Sequence, residues 1–239
     1  MYKQKKIIAV IPARGGSKGL PNKNIKNMHG KPLIAWTIES AQSSKLLDRV
    51  FVSTDSKKIR DVSIDCGLET SFMRPSVFAQ DSSPSWEAVI HVLDEFKKQG
   101  EEFDYIAMLE PTSPLRKKYD IDNAIRKLID SNNTETLVSV GEVHMEHPTI
   151  VKKIDTKGLI KPYIDDSEDI YQRQQADNAY FPYGVIYLST VESFYCQKKF
   201  YTSKTIPYFI ERWQNYEIDD LLDFKIVEEI MKINEKNNG

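Results

Sequence analysis

The chain has 239 residues, with 33 Lys and Arg against 35 Asp and Glu and a formal net charge of −2. A balance this even supplies no global field for nucleic acid, so any site for a polyanion must be local. At 40% hydrophobic and 28% charged, the chain has the composition of a soluble globular protein of one large domain, not of a disordered one.

In chain order, residues 7–11 (Ile-Ile-Ala-Val-Ile) predict a strand buried on both faces. The five apolar residues after the basic residues 1–6 are too few for a secretory leader, and no run of 18 apolar residues exists. Cys66 and Cys196 make no ligand cluster, so free thiols in a cytoplasmic protein are expected. After the strand comes IPARGGSKGLPNKN, residues 11–24, with three glycines and with Arg14, Lys18 and Lys23. Pro32 suits the first turn of a helix, and Leu33, Ile34, Trp36 and Ile38 supply its apolar side. Residues 49–54 predict a second strand with Asp55 at its end, followed by a helix that Gly67 terminates. LETSFM, residues 68–73, predicts a short third strand. Residues 85–98 place Trp86, Val89, Ile90, Leu93 and Phe96 on one helical face. A strand at 104–109, a helix at 119–130 and a strand at 136–140 follow. Strand–helix alternation of this kind predicts an α/β fold, a mostly parallel sheet covered by helices, with ligand loops after the strands. Residues 141–183 change texture, being rich in Tyr, Asp, Gln and Pro, and predict an inserted arm with Gly158 in a hairpin turn. Strands at 184–189 and 205–210 and a closing helix at 219–233 complete the reading.

The loop at 11–24 is neither a Walker loop nor a dinucleotide GxGxxG. Its glycines free backbone N–H groups to face an anion, and its cations suit phosphate. A glycine-rich surface turn with solvated lysines is the alternative, weakened by the loop's position directly after a buried strand. This loop, with GKPLIAWTI at 30–38, resembles the acylneuraminate cytidylyltransferase family (CMP-sialic acid synthetases). Val52-Ser53-Thr54-Asp55, Arg74-Pro75 with Asp81, and Glu110-Pro111-Thr112-Ser113-Pro114-Leu115-Arg116 carry the likeness onward. Looser counterparts are Arg173-Gln174-Gln175, Tyr183-Gly184-Val185-Ile186-Tyr187 and the acidic segment 217–223.

The resemblance implies a Rossmann-like three-layer sandwich that joins CTP to a nonulosonic acid with magnesium. It also implies a homodimer made by an exchanged arm, here 141–183. Carried over, Arg14, Lys18 and Lys23, with Gly15 and Ser17 of the same loop, hold the CTP phosphates, and Asn24 helps place the nucleotide. Arg74, Ser82 and Ser83 border the base. Glu217 and Asp219 hold the magnesium, and Arg173 meets the sugar carboxylate. Residues two apart on an extended segment point the same way, which lets Glu217 and Asp219 share an ion. Asp219 as a helix N-cap is the competing reading, with Asp220 either pointing elsewhere or capping the helix itself. Arg173 in a salt bridge within a polar arm also stays open, and His147 is expected to be a structural turn residue. Three sugar-side positions depart from the family pattern: Glu110 replaces Gln, Phe181 replaces Arg, and Tyr183 replaces Asn. The enzyme class is therefore better defined than the sugar. A guanylyltransferase of a sugar phosphate and a non-catalytic nucleotide-sugar sensor are the rivals.

Overall fold

The computed structural model describes residues 2–164 and 177–238. Strand β1 (Ile7–Pro12) is apolar throughout because both of its faces are covered. Ile7, Ala9 and Ile11 pack with Ile34 and Ile38 of helix α1 (Leu33–Gln42) and with Ile121 and Ile125 of a later helix. Ile8 and Val10 pack on the other side with Val89, Leu93 and Phe96. Between β1 and α1, a two-strand ribbon, β2 (Asn27–Met28) and β3 (Lys31–Pro32), turns through His29 and Gly30, both at positive φ. Two left-handed residues in a two-residue hairpin give the primed turn that matches strand twist.

The remaining elements alternate as the sequence predicts. Strand β4 (Arg49–Ser53) leads to α2 (Lys57–Asp65), whose N-terminus is capped by the Ser56 hydroxyl accepting from the Ile59 N–H. Helix α3 (Ser85–Lys98) precedes β5 (Tyr105–Met108), and α4 (Asp120–Asp130) precedes β6 (Thr136–Glu142). A hairpin of β7 (Lys152–Ile154) and β8 (Ile160–Pro162) follows, with Gly158 in its turn at φ 78°. Then come β9 (Tyr180–Thr190), α5 (Val191–Gln197), β10 (Thr205–Phe209) and α6 (Leu221–Asn238). The central sheet has the order β10-β6-β9-β5-β1-β4. β1 is parallel to β4 and β5, and β10 is parallel to β6. β9 alone runs against its neighbours β5 and β6. The sheet is therefore mostly parallel and flanked by helices, as expected.

Four local expectations need correction. Residues 68–73 form no strand: a single main-chain bond, Arg74 N–H to the Thr54 carbonyl, joins this stretch to the end of β4. Phe72 stacks on Phe51, so one apolar anchor holds the segment and no ladder forms. Strand β9 begins four residues before the predicted 184, which takes Phe181 and Tyr183 out of the arm and into the sheet. Pro182 hides that start, since it opposes Val140 where the β6–β9 register shifts, and such an irregularity is where a sheet accepts proline. The closing helix runs to Asn238, beyond the predicted 233. The short α5, capped by Thr190, has too few turns to show a period.

Candidate functional site

Because β4, β1 and β5 are parallel neighbours, the loops that leave them emerge at one edge. Main-chain bonds stitch the exits together: Ala13 N–H donates to the Ser53 carbonyl and Leu109 N–H to the Val10 carbonyl, at 2.9 and 3.0 Å. The Gly15 N–H donates to Asp55 Oδ1 at 2.9 Å, fixing the glycine-rich loop to the end of β4. A cleft of about 400 Å³ opens here. Arg14, Ser17, Lys18, Lys23 and Asn24 line it from the first loop, Glu110 and Thr112 from the loop after β5, and Asp219 from the approach to α6.

Gly19 makes the contact between the first and last of these segments possible. A Cβ there would stand 2.4 Å from the Asp219 carbonyl oxygen, so only glycine lets the two backbones touch. Lys23 is set by the same contact: its Nζ donates to the Ile218 carbonyl at 2.5 Å and lies 3.5 Å from Asp219 Oδ1. The Lys23 side chain is only 11% exposed, while that of Asp219 is 93% exposed. The buried Asn24 donates from Nδ2 to the Arg14 carbonyl at 3.3 Å, holding the loop from within. Arg14 and Lys18 are held differently, each at 2.5 Å from a separate oxygen of Asp81.

The carboxylates form a graded set. Ile218 is fully buried and donates its N–H to the Thr112 carbonyl, so Glu217 and Asp219 alternate away from it as an extended segment requires. Asp219 reaches the cleft, whereas Glu217 stands behind it. Glu217 Oε1 accepts from the Ser113 hydroxyl at 3.1 Å and from the Gly184 N–H at 2.5 Å. Asp220 is the helix cap: its Oδ1 accepts from the N–H groups of Leu222 and Asp223, while Asp223 Oδ2 accepts from those of Asp219 and Asp220. This reciprocal arrangement leaves the Asp219 carboxylate out of the capping.

Glu110 lies against β9, where a Cβ on Gly184 would fall within van der Waals radii of its side chain. Burial, reinforced by the nearby Glu217 carboxylate, pushes the Glu110 carboxyl up to about 7. Arg116 sits beneath, donating to the carbonyls of Val185, Glu110 and Gly184 and to the Thr37 hydroxyl. Burial pulls its guanidinium down to about 10, which leaves it charged at neutral pH. Sequence reasoning gave Arg116 no role; the fold makes it the pin between Glu110 and β9.

The residues that could hold a metal are the acidic ones of this set. Among the described residues no three His, Cys, Asp or Glu side chains gather as a ligand cluster. Magnesium does not require one, since it is held by one or two carboxylates together with water and substrate phosphates. Asp219, with Glu217 behind it, has the hard oxygen chemistry for that arrangement.

Another cleft, of about 490 Å³, is lined by Phe181, Tyr183, Met145, Arg212 and Tyr216 among others. The Phe181 and Tyr183 rings meet at 5.1 Å, and Phe181 is 53% exposed. Tyr183 precedes Gly184, which packs against Glu110 of the first cleft, and Tyr216 precedes Glu217, whose Oε1 accepts from the Gly184 N–H. Arg74, Ser82 and Ser83 do not line either cleft. The Arg74 guanidinium is buried and bonded to Ser53 and the Phe78 carbonyl, and the Ser83 hydroxyl donates to the Val77 carbonyl. Arg173 lies outside the described residues. His147 is buried, its ring bonded to the Thr149 hydroxyl and the Asp177 carbonyl, a structural turn residue as expected.

A family model described as Cytidylyltransferase matches residues 8–238. The chain is 35% identical over 233 residues to a CMP-N,N'-diacetyllegionaminic acid synthase of Legionella pneumophila, covering 97% of this chain and 98% of that one. It is 30% identical to an N-acylneuraminate cytidylyltransferase of Escherichia coli, of which it spans 53%, and 28% identical to a pseudaminic acid cytidylyltransferase of Campylobacter jejuni, of which it spans 99%. In fold it is similar to a CMP:2-keto-3-deoxy-manno-octonic acid synthetase solved with CTP, at a TM-score of 0.70 and 18% identity, covering 96% of this chain and 99% of that one. The chain belongs to the cytidylyltransferase family.

Proposed function

We propose that this chain joins CTP to a nonulosonic, sialic-acid-like sugar acid, giving a CMP-sugar and pyrophosphate. The observation that carries this reading is the meeting of Arg14, Lys18 and Lys23 with Asp219 in one cleft at the edge of three parallel strands. The names of the relatives, all acting on acidic sugars of this kind, support the acceptor class.

In this reading the anomeric hydroxyl of the sugar acid attacks the α-phosphorus of CTP, and pyrophosphate leaves. Lys23, fixed by the Ile218 carbonyl, presents its charge to the phosphoryl oxygens without having to be ordered first. Arg14 and Lys18, with the backbone at Ser17, hold the outer phosphates, while Gly15, its N–H committed to Asp55 Oδ1, shapes the loop. Asn24 places the nucleotide; Arg74, Ser82 and Ser83, which lie outside the cleft, are assigned to the border of the base on the family resemblance alone. Glu217 and Asp219 would hold magnesium, which when bound neutralises phosphate charge and lowers the pKa of a nearby hydroxyl. Glu110, Arg173, Phe181 and Tyr183 form the sugar side, and the aromatic pair suits a less hydroxylated, acylated sugar.

The same reading makes the chain one nucleotidyltransferase domain with a dimerisation arm in 141–183. The β7–β8 hairpin supports it: Ile154 and Ile160 are 74% and 73% exposed, a surface that a second copy would cover. Among the described residues no helix is long and apolar enough to cross a membrane. The test is pyrophosphate release with each of the four nucleoside triphosphates against a panel of nonulosonic acids. CTP with one such acid should turn over. Turnover with GTP and a sugar phosphate instead, or with no pair at all, would defeat the proposal.

A further inference from the structure

Asp81 belongs to the sequence pattern that follows Arg74-Pro75, yet nothing in the proposed reaction uses it. Its position is specific. Oδ1 lies 2.5 Å from Arg14 Nη1, and Oδ2 lies 2.5 Å from Lys18 Nζ. One carboxylate thus takes two of the three cations assigned to phosphate, one on each oxygen, as a phosphate group would. Both cations line the nucleotide cleft, whereas Asp81 does not. It approaches them from the stretch between the 3₁₀ turn at Ser76–Phe78 and α3.

The three groups are loosely held. Arg14, Lys18 and Asp81 keep 35%, 79% and 45% of their side chains exposed. Ion pairs this open to water add little stability, and so are cheap to exchange. Lys18, and then Arg14, hold the Asp81 carboxyl below the usual range, so it is ionised wherever the enzyme would work. Lys23 contrasts with them, being fixed on a main-chain carbonyl in a nearly closed position. The cleft therefore has one permanent phosphate cation and two that a resident anion occupies.

We propose that Asp81 is an exchangeable stand-in for phosphate: it holds Arg14 and Lys18 between turnovers, yields them to the triphosphate, and retakes them as pyrophosphate leaves. The proposal rests on the reading of the first loop as the phosphate site. Its consequence runs opposite to that of a structural salt bridge. Removing the Asp81 charge frees two cations and lifts a repulsion near the phosphates, so polyanions should bind more tightly and depart more slowly.

The test is calorimetric titration of the full-length protein with pyrophosphate and with CTP, with and without magnesium, at low and at high salt. Asp81→Asn should bind pyrophosphate roughly five- to twentyfold more tightly than the wild type at low salt, less so at high salt. Pyrophosphate should become a correspondingly stronger product inhibitor. Asp81→Ser, lacking both the charge and the amide, should behave alike, and a damaged fold would lose affinity, not gain it. In Lys18→Ala and Arg14→Ala backgrounds the gain should shrink. Unchanged or weaker pyrophosphate binding in both Asp81 variants would overturn the proposal and make Asp81 a structural clasp. If Arg14→Ala and Lys18→Ala bind pyrophosphate as the wild type does, the phosphate assignment of the loop falls, and the proposal with it.

Discussion

One cleft is that of Arg14, Lys18 and Lys23, and another is that of Phe181, Tyr183 and Tyr216. The first is made by loops leaving adjacent parallel strands, locked together by main-chain bonds and by close approaches at glycine. The second is made where β6 and β9 stay paired beyond the register shift at Pro182, and by aromatic side chains left half in water. A phosphate site needs fixed donors and charge, which backbone geometry supplies. A sugar site needs shape, which side chains supply and can change without disturbing the sheet. Under the proposed function, the first cleft carries the chemistry on fixed backbone geometry and the second sets the acceptor with side chains.

The largest expected effect is on the charged side. Lys23→Ala removes the one cation already held in place, which should cost about 2–4 kcal/mol in the transition state, roughly a hundredfold or more in rate. Acceptor KM should hardly move. A folded variant with wild-type kcat/KM for CTP would remove Lys23 from the phosphate site.

Glu110 lies at the divide, and its expected effect is on stability. Its folded pKa of about 7 stands above the ordinary 4.5 because of burial and then Glu217. Between those values the folded chain keeps a proton that the unfolded chain has lost. The wild type is therefore favoured below about pH 4.5 and loses stability as pH rises through 7. Glu110→Gln has no such proton, so in EDTA it should be the more stable protein at pH 8, by an amount of order 3 kcal/mol, with little advantage near pH 4.5. Melting temperatures of both proteins across that range measure the effect. A difference that does not grow with pH would show that Glu110 is not forced to ionise in a dry site.

Asp219→Asn tests whether the charged side includes the metal. Asp220 and Asp223 cap α6, so this change should leave the helix intact. Activity should fall by roughly tens of fold, and the magnesium requirement should rise. A wild-type magnesium curve would leave Asp219 as a bystander of Lys23.

The two sides also differed in how far the sequence disclosed them. The first loop, Asp55 and residues 110–116 were legible because a strand edge needs particular residues at particular offsets: glycine where backbones touch, cations after a buried run. What Gly19 and Gly184 make room for carried no visible signal, since the Asp219 carbonyl and the Glu110 side chain lie about 200 and 74 residues away in the chain. The link from Asp81 to Arg14 and Lys18 was hidden for the same reason. On the aromatic side, Pro182 masked the start of β9, so Phe181 and Tyr183 read as arm residues. Periodicity reports burial, and half-exposed aromatics at a bulge have none to report.

The smallest expected effect lies on that second side and would sharpen the contrast most. Phe181→Arg and Tyr183→Asn restore the residues of the sialic acid pattern. Both side chains stand at the end of β9, partly in water, with rings 5.1 Å apart, so neither substitution opens a cavity in the core. Stability should change by less than about 0.5 kcal/mol, as for surface sites in general. Neither residue lines the cleft of Arg14, Lys18 and Lys23, so the KM for CTP should stay as it is. What should move is acceptor preference. Losing an aromatic contact to an acyl or deoxy portion should cost about 1 kcal/mol, roughly five- to tenfold in acceptor KM. The loss should be greatest for acceptors rich in acyl groups and smallest for those richest in hydroxyls. Steady-state kinetics with a paired panel of sugar acids, at saturating CTP, reads it directly. Equal losses across the panel, or a change in CTP KM of the same size, would mean that the clefts are not separate in function.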